Sequence, residues 1–171
     1  MTVRVRFPWH PRPLCRIKIE VTHDEPVLLV PDRRPILHGY DEALDAEIRC
    51  YRLEEIVAEK LRALLQTQEK LATRGWSRPR ARDYYDLWRV LTDWGDRLDS
   101  MLVPPILLRK CAHRGVAFTK ADDFFPTALI GEARAHWHSS LGVFVADLPP
   151  CDDVLARLRT LVPRYLPGSP D

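Results

Sequence analysis

A chain of 171 residues with 46% hydrophobic and 29% charged residues is long enough for one domain with its own core. Its net charge of +2 is too small to indicate a nucleic-acid-binding protein, so such a function has to rest on local clusters of charge. No apolar stretch reaches the ~20 residues of a membrane span, and the N-terminus MTVRVRFPWHP lacks the apolar segment of a secretion signal. We therefore expect a cytoplasmic protein with no membrane partner.

The first third of the chain predicts short strands separated by polar, proline-containing connections. Residues 1–13 are rich in Pro and Arg and predict irregular structure, while 14–22 alternate apolar and polar residues as a half-buried strand does. The further strands are predicted at 27–30 and 48–51, with a shorter candidate at 36–38 in the polar connection. About three short strands without crossover helices make a poor sheet on their own, so the predicted sheet is incomplete.

From residue 53 onward the apolar residues recur with helical spacing. The predicted helices span 53–72, 81–94, 104–114, 122–141 and 152–162. Gly115 is expected to end the third of these, and Asp122 is expected to cap the fourth. The order of about three strands and then about five helices predicts an α+β fold with segregated layers.

One lysine lies on the apolar face of the first predicted helix. Lys60 follows Ile56 by one turn and precedes Leu64 by one turn. A lysine in that position is costly unless its ammonium group finds a partner. Four other charged residues lie away from the centre of this apolar face and predict a face that is exposed to solvent. They are Glu54, Glu55, Glu59 and Arg62.

The second predicted helix aims a charge of opposite sign at its own apolar face. Asp83 lies one turn before Leu87, and Asp86 lies at the edge of the face. We predict that a Lys60 nitrogen and an Asp83 oxygen lie within ~4 Å of each other at a junction of the two helices. Such a contact is either a buried ion pair that fixes helix register or part of a polar functional site.

The connection between these helices is strongly basic. Arg74, Arg78, Arg80 and Arg82 occur within nine residues, with Trp76 among them. An arginine guanidinium group can donate two parallel hydrogen bonds to phosphate oxygens, and the indole ring of a tryptophan can stack on a base. The segment predicts either a basic rim that binds nucleotide or RNA beside Lys60, or an exposed loop without a ligand.

Two segments together resemble a known family. LEEIVAEKLRALL at 53–65 and RARDYYDL at 80–87 are similar to the patterns E-E-x-x-A-x-K-x-x-A-L and R-x-x-D-x-x-D-L of AbiEii/AbiGii-type nucleotidyltransferase toxins. The resemblance implies a DNA polymerase β-like nucleotidyltransferase fold. It divides the chain into a remnant of the sheet at 1–52 and a helical part with the Lys/Asp motif at 53–171.

The resemblance also implies an activity and a site. Family members are toxins of toxin–antitoxin or phage-abortive systems that transfer nucleotides from nucleoside triphosphates to RNA, in particular tRNA, and each has a cognate antitoxin. Lys60 and Asp83 are the implied catalytic residues, with Asp86 as their neighbour. Mg²⁺ is the implied cofactor, and Glu20, on the strand at 14–22, is the candidate for its acidic ligand.

The chain departs from the family in its first third. Members carry a G-G or G-S segment followed by a D-x-D-type pair that holds magnesium, whereas here Gly39 is followed by Tyr40 and Asp41. We therefore expect that the metal-binding half is missing and that the chain alone is inactive. Three hypotheses stay open: an enzyme completed by another chain, a non-catalytic nucleotide- or RNA-binding module or relic, and a helical interaction domain.

Overall fold

The computed structural model describes residues 2–6, 8–12, 15–19, 21, 24–36, 45–75 and 78–168. These residues form four short strands, arranged as two separate two-stranded sheets, and six α-helices. The architecture is α+β, as the sequence predicts, and is compatible with a partial nucleotidyltransferase fold.

Both sheets are antiparallel pairs of four-residue strands. Strands β1 (Thr2–Val5) and β2 (Cys15–Lys18) pair with each other and form what we call the N-terminal hairpin. Strands β3 (Asp32–Pro35) and β4 (Glu47–Cys50) form the second pair. The predicted strands at 14–22 and 48–51 are confirmed by β2 and β4.

The remaining strand predictions need correction. Residues 1–13 are not irregular throughout, because Val3 and Val5 alternate with arginines ahead of the first proline and form β1. The apolar run 27–30 is not a strand, since the backbone N–H groups of Leu28 and Leu29 donate to the Glu55 carboxylate, each at 2.9 Å. Those donors are unavailable to a strand ladder.

The short strand predicted at 36–38 is displaced towards the N-terminus. The strand in this region is β3, which ends at Pro35, and Ile36 lies just beyond it. The N–H of Ile36 donates to the carbonyl of Ala46 at 3.1 Å, which continues the pairing with the partner strand for one more bond. Residues 37 and 38 lie outside the described residues.

Four helices begin and end close to their predicted positions. They are α1 (Leu53–Arg74), α2 (Ala81–Asp93), α3 (Val103–Arg114) and α6 (Cys151–Leu161). Helices α1 and α3 each end at a glycine, Gly75 with φ of 73° and Gly115 with φ of 66°. Glycine adopts this left-handed conformation without the steric cost of a Cβ atom, so it ends both helices.

The single helix predicted at 122–141 is wrong. The segment forms a 3₁₀ turn at Ala121–Phe124, then α4 (Thr127–Ala135) and α5 (Trp137–Leu141). Pro126 is extended, with ψ of 144°, and a proline also disfavours helical backbone in the residue before it. Asp122 does not cap a long helix; its carboxylate accepts a hydrogen bond from Arg159 at 3.0 Å.

The hydrophobic core belongs to the helices. Among the described residues, every fully buried apolar side chain lies at Val57 or later in the chain. Helix α1 packs against α3, α2 and α4, and Leu61 and Leu64 on its inner face are at most 1% exposed. Truncating such a leucine to alanine costs about 2–5 kcal/mol, so α1 is a rigid base for the side chains that project from it.

None of the helices in the described part of the chain combines the length and the apolar character that crossing a membrane requires.

Candidate functional site: a lysine–aspartate cleft

Lys60 lies between two carboxylates from the next helix. Its Nζ atom is 3.1 Å from Oδ1 of Asp83 and 2.6 Å from Oδ2 of Asp86. The predicted contact between Lys60 and Asp83 is confirmed, and Asp86 belongs to the same cluster. Asp83 and Asp86 are three residues apart, so they lie on the same face of α2 and converge on one ammonium group.

The cluster is partly open to solvent. The side chains of Lys60 and Asp83 are about one-fifth exposed, at 20% and 19%, and that of Asp86 is 47% exposed. Burial by itself would lower the pKa of Lys60, but the charges and hydrogen bonds of Asp83 and Asp86 outweigh it and raise that pKa. Lys60 is therefore a fixed cation at neutral pH that solvent and ligands can reach.

Arg80 connects this cluster to the core. Its NH1 atom donates to Oδ2 of Asp83 at 2.8 Å, and its Nε donates to Oγ1 of Thr67 at 2.6 Å. Thr67 lies on α1 and is 1% exposed. The two oxygens of Asp83 are thus divided between Lys60 and Arg80, and the carboxylate has a defined orientation.

The cluster forms one wall of a cleft of about 630 Å³. Cations outnumber carboxylates among the charged residues of the lining, and the other residues are apolar or uncharged. The five cations are Lys60, Arg62, Lys70, Arg80 and Arg114, and the three carboxylates are Glu25, Glu59 and Asp83. Asp86 pairs with Lys60 and Asp24 pairs with Arg114 from just outside this lining, so the cations of the cleft are available to an anionic ligand that replaces these contacts.

The arginines of the predicted basic rim do not all lie at the cleft. Arg80 joins the Lys60 cluster, whereas Arg82 points to the other side of α2, where its Nε donates to the carbonyl of Ser140 at 3.0 Å. The Arg82 guanidinium also lies over the ring of Phe144, 4.9 Å from its centroid. Arg74 and Arg78 are exposed at the end of α1 and in the connection that follows.

A second ionic cluster, not predicted from the sequence, lies behind the cleft and is buried. The Nζ atom of Lys110, on α3, is 3.1 Å from Oε1 of Glu55 and donates to the carbonyl of Pro26 at 2.8 Å. Both Lys110 and Glu55 are 1% exposed. Since Glu55 also accepts the N–H groups of Leu28 and Leu29, both of its oxygens have donors.

This cluster corrects the prediction of a solvated face on α1. Glu54, Glu55 and Arg62 are buried, at 2%, 1% and 6% exposure. Glu54 accepts the N–H of Asp99 at 3.1 Å, and Arg62 pairs with Glu59 and donates to Oε1 of Gln66 at 2.5 Å. These charges are buried because each finds an oppositely charged or polar partner, which lies in a distant segment for Glu54 and Glu55 and both on α1 and at Glu25 for Arg62.

The segment Asp24–Leu29, which we call the strap, is held against α1 and α3 by this cluster. Arg114 donates through NH2 to Oε2 of Glu25 at 2.6 Å, and Glu25 also faces Arg62 at 3.6 Å and Lys110 at 3.8 Å. Burial raises the pKa of the Glu25 carboxyl, but the hydrogen bond from Arg114 and the nearby cations outweigh it and lower that pKa. The strap therefore places one carboxylate in the cleft lining.

A sequence signal for this cluster exists. Lys110 falls on the inner stripe of α3, three residues after Leu107 and four after Ile106, as Lys60 falls on the stripe of α1. The same reasoning that singles out Lys60 therefore applies to Lys110. The partners Glu25 and Pro26 come from a segment more than eighty residues earlier, and helical spacing carries no information about such contacts.

The described residues contain no cluster of three or more His, Cys, Asp or Glu side chains that could ligate a metal ion. Glu20, the predicted metal ligand, lies outside the described residues. Asp83 accepts hydrogen bonds from Lys60 and Arg80, so each of its two oxygens already has a donor.

Comparison with known proteins identifies the family. Residues 1–160 match the family model described as nucleotidyl transferase AbiEii toxin, type IV toxin–antitoxin system. Neither the curated proteins nor the solved structures contain a match. The family match spans both the strands and the helices that form the cleft, so the chain belongs to the AbiEii nucleotidyl transferase toxin family of type IV toxin–antitoxin systems.

Proposed function

We propose that the lysine–aspartate cleft binds the triphosphate of a nucleoside triphosphate whose nucleotide is transferred to RNA, with tRNA as the acceptor. The observation that carries the proposal is the position of Lys60. Its ammonium group is held by Asp83 and Asp86 at the wall of a cleft with more cations than carboxylates. Membership of a toxin family implies a cognate antitoxin as a further partner.

In this proposal Lys60 supplies a positive charge to the phosphates, and Asp83 and Asp86 orient it. Arg80 keeps Asp83 in place through its contact with Thr67. Lys70 and Arg114 line the same cleft and add to its attraction for a polyphosphate. Hydrogen bonds to charged groups contribute about 1.5–3 kcal/mol each, so the loss of one such contact should weaken binding by about tenfold or more.

The proposal assigns the strands of 1–52 to part of the nucleotidyltransferase sheet and 53–171 to the helical part with the Lys/Asp motif. The family chemistry needs Mg²⁺, and the described residues offer no donor set for it. We propose that its ligands are contributed by residues other than those described, with Glu20 as one candidate.

The second candidate function is a non-catalytic nucleotide-binding module, and the departure of the sequence from the family pattern at Gly39, Tyr40 and Asp41 favours it. Binding and transfer separate the two candidates. Both candidates require that the cleft binds a nucleoside triphosphate. Only the first requires that the nucleotide is then transferred to RNA.

The first experiment measures nucleotide binding. Each of the four nucleoside triphosphates is titrated into the purified 171-residue protein at low salt, together with Lys60→Met and Lys120→Met variants. Lys120 is exposed and does not line the cleft, which makes it the matched control. We expect Lys60→Met to weaken binding by about tenfold or more and Lys120→Met to leave it unchanged. No binding of any triphosphate, or equal binding by both variants, would reject the proposal.

The second experiment measures transfer with labelled triphosphates, magnesium and total tRNA. We expect no transfer by the 171-residue protein alone, because its sequence lacks the G-G or G-S segment with a D-x-D pair that holds magnesium in the family. Transfer that disappears in Lys60→Ala and Asp83→Ala would show instead that a complete active site exists within the chain. In that case the non-catalytic module is excluded.

A further inference from the structure

The N-terminal hairpin is a concentrated basic element in a chain of low net charge. The first nineteen residues contain five arginines and lysines and no Asp or Glu, although the whole chain has a net charge of only +2. The five are Arg4, Arg6, Arg12, Arg16 and Lys18. This charge is therefore not neutralised within the hairpin.

The register of the hairpin places like charges opposite each other. Arg4 on β1 pairs directly with Arg16 on β2, and Thr2 pairs with Lys18 two residues away, which puts these cations on one face. The side chains of Arg4 and Arg16 are both exposed. Opposed residues on antiparallel strands have Cβ atoms about 4.5–5.5 Å apart, and like charges in that position destabilise the pair.

Strand β1 is largely exposed. Thr2, Val3 and Arg4 are exposed and Val5 is partly buried. A two-stranded hairpin is at best marginally stable in water. An anion that binds the Arg4–Arg16 face would remove the repulsion and stabilise the hairpin at the same time.

The turn of the hairpin presents an aromatic ring. Trp9 is 73% exposed and lies between Pro8 and Pro11, with Arg12 following. Prolines restrict the backbone, so the ring is presented with little loss of entropy on binding. Exposed tryptophans beside arginines stack on nucleic-acid bases.

We propose that the N-terminal hairpin binds RNA, with Arg4 and Arg16 on phosphates and Trp9 stacked on an unpaired base. Four of the five cations are arginines, and each planar guanidinium group can donate two hydrogen bonds to phosphate oxygens. Folded RNA supplies both phosphates and unpaired bases in its loops and ends. The inference holds whether or not the cleft transfers nucleotides.

Fluorescence anisotropy tests whether this surface binds RNA. The affinity of the full 171-residue protein for a labelled single-stranded oligouridine is measured over a range of KCl concentrations. The test variant is Arg4→Gln with Arg16→Gln. The control is Arg33→Gln with Arg49→Gln, which removes two positive charges from a directly paired position on β3 and β4. At that position Glu47 lies 3.8 Å from Arg33 and already balances one of the charges.

We expect the test variant to bind more weakly and with a salt dependence that is shallower by about 1.4 in log–log slope, which corresponds to two lost phosphate contacts. The control variant should keep the slope of the natural sequence. Trp9→Ala should weaken binding by about fivefold or more without changing the slope. Circular dichroism checks that the helices, which hold most of the fully buried apolar side chains described, stay folded in each variant.

Three outcomes would overturn the inference. If the natural sequence and the Arg4/Arg16 variant bind RNA with equal affinity, Arg4 and Arg16 do not contact phosphates. If the protein binds phosphatidylserine vesicles but not RNA, the hairpin is a membrane-binding surface. Tighter binding of single-stranded DNA than of RNA would reject the assignment to RNA. A Lys60→Met variant separates this inference from the proposed function, because it should lose triphosphate binding and retain RNA binding.

Discussion

Two lysines of this protein lie on the apolar faces of helices, and only one of them is accessible. Lys60 contacts Asp83 and Asp86 with one-fifth of its side chain exposed at the wall of a cleft. Lys110 contacts Glu55 and the Pro26 carbonyl and is 1% exposed. The same sequence pattern thus produces a site that a ligand can reach in one place and a structural clamp in the other. What distinguishes them is solvent access, which the pattern does not encode.

The largest expected effect is on stability, at the buried cluster. Lys110→Met leaves the Glu55 carboxylate buried without its cation, and removing one partner of a buried ion pair costs about 3–5 kcal/mol. Urea unfolding followed by circular dichroism measures this loss, with Lys120→Met as the exposed control. A loss of about 0.5 kcal/mol or less, the range of ordinary surface substitutions, would show that Lys110 is not a structural clamp.

Lys60→Met should destabilise the protein less, by about 1–2 kcal/mol. Its carboxylate partners stay partly solvated when the ammonium is lost, and Asp83 keeps its bond to Arg80. The same urea unfolding experiment provides the comparison. If Lys60→Met were as destabilising as Lys110→Met, the two clusters would have the same structural role and the distinction between them would fail.

A smaller effect is expected from two arginines that flank the first turn of α2. Arg80→Gln releases Asp83 and Thr67, so we expect triphosphate affinity to fall severalfold and stability to fall by about 1 kcal/mol. Arg82→Gln removes the same charge two residues away, where the side chain contacts Ser140 and Phe144, and should leave triphosphate affinity unchanged. If both variants lost the same triphosphate affinity, the effect would come from the lower positive charge of the protein and not from the orientation of Asp83.

The smallest expected effect is the pH dependence of the strap. The cations around Glu25 lower its pKa, so its contribution to stability is complete above the ordinary carboxyl value of about 4.3 and is lost as pH falls through the lowered value. Glu25→Gln should therefore lose stability at neutral pH and show a flatter decline in acid. Unfolding free energies measured between about pH 3 and pH 7 check this. Parallel curves for the two proteins would contradict the role of Glu25.

The sequence predicts the helices well because their signals are local. The spacing of apolar residues defines α1, α2, α3 and α6, and Gly75 and Gly115 mark two of their ends. The same local patterns bring Lys60 and Asp83 together, since both residues lie on inward faces of consecutive helices. The predicted helix at 122–141 is wrong because Pro126 interrupts an otherwise helical pattern.

The non-local contacts could not be predicted in this way. The strap does not form a strand, because Glu55, 26 and 27 residues later, accepts the backbone N–H groups of Leu29 and Leu28. Glu54 and Arg62 are charged residues off the apolar stripe, and they are buried only because Asp99 and Glu25 approach them. Helical periodicity reports which residues share a face, but not which distant segment covers that face.

The most direct test of the central claim is a crystal structure of the protein with a non-hydrolysable nucleoside triphosphate. We predict that a phosphate oxygen lies within hydrogen-bond distance, about 3 Å, of Nζ of Lys60, with Asp83 still bound to Arg80. Lys110 and Glu55 should keep their contact of 3.1 Å. A triphosphate bound elsewhere on the protein, with Lys60 still enclosed by Asp83 and Asp86, would contradict the assignment of the cleft.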